Sequence, residues 1–157
     1  MITEELTGDA FVDLGRQAIL RLAGKTVVDD EELRRMVASQ AQLYVHDWAA
    51  KLNAFYLNSS ITQTQGVYAT SEGKLAKTRG IFDAAFTQAP DGYCEICGRH
   101  AHIVRGDRTN FPLAGSGTEV NFHPSLMPGI DLCPECLAAV FFLPVAVLQA
   151  AGKPLAL

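Results

Sequence analysis

Two cysteine-bearing stretches, YCEICGRH (93–100) and LCPECLAAVFFL (132–143), decide how the second half of this chain folds. Their four cysteines are arranged as two CxxC pairs, Cys94 with Cys97 and Cys133 with Cys136. A two-residue gap lets both sulfurs of a pair face one ion, and four soft thiolates close a tetrahedral zinc site. Because four protein ligands leave no open coordination position, the pattern predicts a structural zinc ion rather than a catalytic one.

The residues around each pair agree with this prediction. Gly98 follows the first pair and suits the tight turn of a zinc knuckle. The second pair opens an apolar helical stretch, and thiolates are favoured near a helix N-terminus. The gap from Cys97 to Cys133 exceeds the roughly 15–20 residues of a compact zinc form, so we expect the intervening segment to be irregular and stapled at its base.

Three other interpretations of the cysteines stay open. They could be buried free thiols, a redox CxxC motif, or a metal site that has lost its ion, although no βαβ pattern surrounds either pair. His100 and His102 follow Cys97 closely and could compete as ligands, but ordinary surface histidines are the more common case. We expect His46 to be a packing residue of a helix, and we assign His123 no role.

Composition places the chain among globular domains. Its 157 residues are 48% apolar and 19% charged, with a net charge of −4, which argues against disorder and against a histone-like basic binder. Lys153 is the only charged residue from Leu137 to the last residue, so this segment could be a core helix or a surface for another molecule. Its apolar run falls short of a membrane span. The first residues do not look like a secretory signal, and we expect a cytoplasmic protein with reduced cysteines.

The first half of the sequence predicts helices. Asp9 is a suitable N-cap for a first helix that Gly24 ends. Asp29 or Asp30 can cap a second, long amphipathic helix that carries Trp48, Leu52 and Phe55 and runs to about Leu57, and IFDAAFTQ (81–88) is a short helix. We therefore predict an α+β fold with N-terminal helices, a zinc-stapled segment and a C-terminal apolar helix. Residues 1–90 and 91–157 form its two regions, which together make one compact domain.

Two polar features are candidates for nucleic-acid contact. The uncharged loop NSSITQTQ, which begins with Asn58 and Ser59, could reach base edges through amide and hydroxyl groups. Lys74, Lys77 and Arg79 follow it and could contact phosphates. A solvated loop and helix face explains the same residues equally well.

Enzyme motifs are absent from the sequence: there is no GxSxG, HExxH, P-loop or GxGxxG. The one enzymatic alternative is an HNH-type nuclease, whose finger is often braced by CxxC pairs. That chemistry needs a histidine general base and further ligands for a divalent ion. His100 and His102 lie too near the first cysteine pair, and His123 lacks a histidine partner. We expect a protein that is not an enzyme.

The chain as a whole resembles the CXXC-CXXC family of CRISPR-associated proteins, the large subunits of type I-B and I-A-like Cascade complexes. The resemblance is carried in order by GDAFVDLGRQAILRLAGK, YLNSS, CEICG, FPLAGSG with NFHPS, and LCPECLAAVFFLP, from about Gly8 onward. Cys94, Cys97, Cys133 and Cys136 match the signature pairs of the family. Asn58 and Ser59 match a polar signature.

The resemblance implies a subunit of an RNA-guided DNA surveillance complex in antiviral defence. Such a subunit reads the protospacer-adjacent motif in target double-stranded DNA, beside other Cascade subunits and the crRNA, while base pairing reads the long sequence. It implies no catalytic residue, no membrane and no small-molecule substrate. Because family members are usually several times longer, we expect Phe141, Phe142, Val145 and Leu148 to be only partly covered within this chain.

Overall fold

The computed structural model describes residues 1–46, 70–108, 110–111, 126, 128–150 and 153–156. Several sequence-based predictions concern residues outside these ranges. They are the roles of Asn58, Ser59 and His123, and the continuation of the second helix through Trp48, Leu52 and Phe55 to Leu57.

The described elements are four helices and eight short strands, which fits the predicted α+β class. The helices are α1 (Ala10–Ala23), α2 (Asp30–His46), α3 (Ser71–Thr87) and α4 (Pro134–Phe142), with a 3₁₀ turn at Leu143–Val145. The strands are β1 (Ile2–Thr3), β2 (Val27–Val28), β3 (Asp91–Tyr93), β4 (His100–His102), β5 (Val104–Gly106), β6 (Ile130–Leu132), β7 (Val147–Ala150) and β8 (Lys153–Ala156). They form four antiparallel pairs, β1–β2, β3–β4, β5–β6 and β7–β8.

Helix α1 begins and ends where the sequence predicts. The Asp9 carboxylate accepts a hydrogen bond from the Val12 N–H at 2.9 Å, which satisfies a free donor of the first turn. At the other end Gly24 adopts φ +65°, and its N–H donates to the Arg21 carbonyl. Between the two caps, Val12 and Ile19 are fully buried.

Helix α4 is the centre of the core, and α1 packs closely against it. Every residue from Cys136 to Leu143 is buried. The two helices approach at Gly15, where an added Cβ would lie 1.7 Å from the Ala139 carbonyl oxygen. On another side of α4, the Phe82 ring of α3 lies 4.5 Å from the Phe141 ring. None of the helices in the described ranges is long and apolar enough to cross a membrane.

Helix α2 starts as predicted, and α3 is longer than predicted. The Asp29 carboxylate accepts a hydrogen bond from the Glu32 N–H at 2.8 Å at the start of α2. Helix α3 begins at Ser71, ten residues before the predicted start at Ile81, because the Thr70 side chain caps it through the Gly73 N–H at 3.1 Å. Lys74, Lys77 and Arg79, which precede the predicted helix in the sequence, therefore lie on α3 itself.

The C-terminal segment corrects two predictions. It is not one helix, because α4 ends at Phe142 and is followed by the 3₁₀ turn that contains Pro144 and by the β7–β8 hairpin. The expected exposure of Phe141 and Phe142 is also wrong. They are 2% and 1% exposed, because the helices of the first half cover them. Val145 is 37% exposed, and the side chain of Leu148 is not among those that the structure describes.

Candidate metal centre

The first cysteine pair lies in the turn between β3 and β4. The Cys94 N–H donates to the Arg99 carbonyl and the Gly98 N–H donates to the Cys94 carbonyl, both at 2.9 Å. Gly98 has φ +71°, a left-handed conformation that residues with a Cβ rarely adopt. The chain thus reverses directly after Cys97, and both sulfurs of the pair are turned to the same side. This is the tight turn that the glycine predicts.

The second pair lies at the start of α4. Cys133 is the N-cap, and its sulfur accepts a hydrogen bond from the Cys136 N–H at 3.5 Å. Pro134 occupies the first turn, where its missing N–H leaves no donor unsatisfied. Strand β6 leads directly into this cap, so the position of the pair is fixed by a strand on one side and a helix on the other.

The four sulfurs of the two pairs lie together. All four Sγ atoms are within 4.8 Å of one another, and the Cys97 and Cys133 sulfurs are 3.7 Å apart. Four sulfurs at a Zn–S distance of about 2.3 Å in a tetrahedron are separated by about 3.8 Å. A disulfide would need about 2.05 Å, and all four cysteines are free. The cluster therefore has the donor set and the spacing to hold a metal ion.

Hydrogen bonds connect the turn that carries the first cysteine pair to strand β6, which precedes the second pair. The Glu95 N–H donates to the Asp131 carbonyl, and the Glu95 carboxylate accepts from the Asp131 N–H, each at 2.8 Å. The Asp131 carboxylate in turn accepts a hydrogen bond from Arg105 at 2.6 Å. Glu95 lies between the two cysteines of the first pair, and its role was not predicted from the sequence. A carboxylate inside a CxxC motif was the available signal.

The pKa is lowered at the two thiols of the first pair and raised at the two thiols of the second pair. Hydrogen bonds from Cys133 lower the pKa of Cys94 to about 6 and also lower the pKa of Cys97. The pKa of Cys136 is raised by its hydrogen bonds to Cys133 and to the first pair. At Cys133 the hydrogen bond with Cys136 lowers the pKa, but the bonds with Cys94 and Cys97 and burial outweigh it and the pKa is raised. Four adjacent thiolates repel one another, and a divalent cation would remove that obstacle.

The histidines near the first pair lie outside this cluster. Among the described residues, the four cysteines are the one group whose ligand atoms could share a metal ion. The His102 Nδ1 lies 3.1 Å from the Asp91 carboxylate on the exposed face of the β3–β4 hairpin. The His100 ring lies 5.0 Å from the Tyr93 ring. The side chain of His46 and all of His123 are outside the described residues.

The three basic residues of α3 do not form one patch. At about 100° per residue, Lys74 and Lys77 share a face of the helix, while Arg79 points about 160° away from Lys77. Arg79 instead borders a groove between α2 and α3 together with Arg34, Phe82 and Phe86. The Arg34 guanidinium lies 4.8 Å above the Phe86 ring and donates to the Phe86 carbonyl at 3.3 Å. The place of Arg34 in this groove was not predicted from the sequence.

Fold and site together define a small α+β protein with a four-cysteine cluster of the kind that holds structural metal ions. Residues 88–148 match the family model described as CRISPR-associated protein (Cas_CXXC_CXXC). All four cysteines, the β3–β4 hairpin and α4 lie within the matched segment. No curated protein and no solved structure matches the chain. The match supports the resemblance to CRISPR-associated proteins and the cysteine pairs as its signature.

Proposed function

We propose that this chain is a non-enzymatic subunit of a type I CRISPR surveillance complex of the Cascade kind, which binds target DNA near the protospacer-adjacent motif. The observation that carries the proposal is that two findings fall on the same segment. The segment that matches the CRISPR-associated family model is the segment in which four cysteines, two from the β3–β4 turn and two from the start of α4, converge. Its partners would be other Cascade subunits, the crRNA and double-stranded target DNA.

The metal in this proposal is a structural Zn²⁺ held by Cys94, Cys97, Cys133 and Cys136. Zinc suits four thiolates in a tetrahedral arrangement, and a closed site stabilises the fold without leaving a position for substrate. The ion would fasten the β3–β4 turn to the start of α4, the most buried helix. Zinc binding would thus be coupled to folding of the segment that matches the family model.

Contact with DNA phosphates would come from local basic groups, since the chain as a whole carries a charge of −4. Lys77 and Arg79 are exposed and Lys74 is half-buried on α3. Because Arg79 shares its groove with Arg34, two separate basic edges of α3 are available, one with Lys74 and Lys77 and one with Arg79. Asn58 and Ser59 remain candidates for base contacts from the segment before α3.

Co-purification tests this proposal directly. The tagged chain would be expressed with the products of its neighbouring genes and a guide RNA, and the eluate examined for RNA and for the other proteins. We expect a ribonucleoprotein that retards a duplex with a matching protospacer. A chain that elutes alone, or metal-dependent cutting of plasmid DNA by the purified chain, would overturn the proposal.

A second candidate is a stand-alone zinc-stabilised interaction module. The observation in its favour is the burial of Phe141 and Phe142 within this chain, because a self-covered core removes one reason to expect a covering partner. Solution behaviour discriminates the two candidates. A free module would be a well-behaved monomer that acquires neither guide RNA nor Cascade proteins on co-expression.

A further inference from the structure

The guanidinium of Arg16 is buried, and no carboxylate in the described part of the chain pairs with it. Arg16 lies on α1 and is 7% exposed. Its Nη2 donates to the Thr3 carbonyl at 3.2 Å and to the Thr3 hydroxyl at 3.3 Å, while its buried Nε has no hydrogen-bond partner among the residues that the structure describes. Burying a cation in this way is costly unless an opposite charge lies nearby.

The same region contains an excess of negative charge once the cluster holds its metal. Four thiolates and one Zn²⁺ carry a net charge of −2. Of the four cysteines, Cys97 is the one that is only partly buried, and it borders a cavity of about 350 Å³ whose wall also contains Arg16 and Arg99. Two unbalanced charges of opposite sign thus face one small space.

Arg99 lies on the wall of the same cavity as Arg16 and Cys97. It lies two residues after Cys97, and it forms an ion pair with Glu135 at 3.3 Å. Glu135 directly precedes Cys136 in the sequence.

Glu135 also pairs with the N-terminal ammonium of Met1 at 2.9 Å, and that ammonium pairs with Asp30 as well. Two cations, Arg99 and the ammonium, are thus matched by two carboxylates, so Arg99 alone cannot balance the cluster. Glu5 also borders the cavity and adds a negative charge. The remaining cation on the cavity wall with no carboxylate partner in the described part of the chain is Arg16.

We propose that Arg16, with Arg99, supplies the positive charge that balances the metal-loaded cysteine cluster, so that helix α1 helps to retain a metal held by residues 94–136. This inference rests on the metal centre of the proposed function. Arg16 acts through its charge and does not bind the metal ion itself. An external anion is a poor candidate to balance Arg16 in this cavity, because Glu5 and the metal-loaded cluster would repel it.

Zinc affinity of the purified full chain, measured by competition with a chelating indicator, tests the inference. We expect Arg16→Gln and Arg99→Gln each to weaken zinc binding about tenfold, the size of effect common for groups behind metal ligands. Arg21→Gln removes an exposed charge from the same helix and serves as the control, with unchanged affinity. Cobalt substitution reports whether each variant still binds through four sulfurs, from its thiolate-to-metal absorption.

Arg16→Lys separates charge from packing. Lysine keeps the charge but loses the two-bond contact with Thr3, so we expect affinity within about threefold of the parent chain. Equal affinity in Arg16→Gln and the parent, or a Lys variant as weak as the Gln variant, would overturn the inference. So would stabilisation of the chain by inorganic phosphate that depends on Arg16. A parent chain that binds no zinc would overturn the metal centre itself, which is a distinct result.

Discussion

Gly15 of α1 lies against the backbone of Ala139 of α4, and an added Cβ would be 1.7 Å from the Ala139 carbonyl oxygen. No side-chain rotation can relieve that contact, since both partners are backbone. The approach brings the N-terminal helix onto the helix that starts at the second cysteine pair, and Arg16 follows directly in the sequence. The packing of α1 and the geometry of the metal centre are therefore linked.

Gly15→Ala should destabilise the chain by about 3 kcal/mol or more, because the helices must separate and the core around α4 must repack. Gly80→Ala is the matched control: Gly80 also lies within a helix, and no atom of the described residues lies within 4 Å of its added Cβ. There the better helix propensity of alanine should stabilise by up to about 1 kcal/mol. Urea unfolding of both variants measures the difference. Equal free energies of unfolding would show that the close approach does not exist.

Cys97→Ser should abolish stable zinc binding and lower the thermal midpoint strongly, because a structural metal contributes its binding free energy to folding. A strong chelator added to the parent chain should have the same effect, reversed by zinc. His102→Ala is the control, since His102 pairs with Asp91 outside the cluster. Elemental analysis and thermal unfolding check both variants. Loss of metal in His102→Ala would show that the ligand set differs from the four cysteines.

Glu95→Ala should destabilise the metal centre by about 1–3 kcal/mol, because it leaves the Asp131 N–H without its carboxylate partner. Glu95→Gln keeps an acceptor oxygen and should lose much less. Chelator-induced unfolding of the two variants gives the comparison. If Gln and Ala behave alike, the hydrogen bond to Asp131 is not what fixes the register of the two pairs.

Lys74→Ala with Lys77→Ala should reduce the slope of log binding constant against log salt by about 0.9 for each lost phosphate contact, if this edge of α3 meets DNA. Arg79→Ala tests the other edge separately, since Arg79 borders the groove with Arg34. Fluorescence anisotropy with the assembled complex at several salt concentrations measures both slopes. Two unchanged slopes would leave α3 as a solvated face.

The sequence predicted those features that depend on local patterns. Asp9 and Gly24 cap the two ends of α1 through hydrogen bonds to residues close in sequence. Gly98 has the left-handed backbone that a knuckle requires. The gathering of the four cysteines also followed from the sequence, because two CxxC pairs with a metal-binding spacing favour one shared centre. The α+β class rests on the same local signals.

Other features depend on contacts between distant segments, and there the sequence was insufficient. The apolar C-terminal run and the greater length of the family it resembles predicted an uncovered face, yet Phe141 is covered by side chains such as Phe82 of α3, far away in the chain. Likewise Lys77 and Arg79 are close in sequence but face different sides of α3. Arg16 gave no metal-site signal, and the position of Glu95 inside a CxxC motif could not show its role, because their partners Thr3 and Asp131 are set by the tertiary fold.

Native mass spectrometry of the chain, co-expressed with the neighbouring gene products and a guide RNA, tests the central claim most directly. We expect an assembly that contains this chain, the guide RNA and one zinc per copy of the chain, and that releases the zinc and then the chain when a chelator is added. A zinc-loaded chain that stays monomeric and free of RNA and protein partners would contradict it.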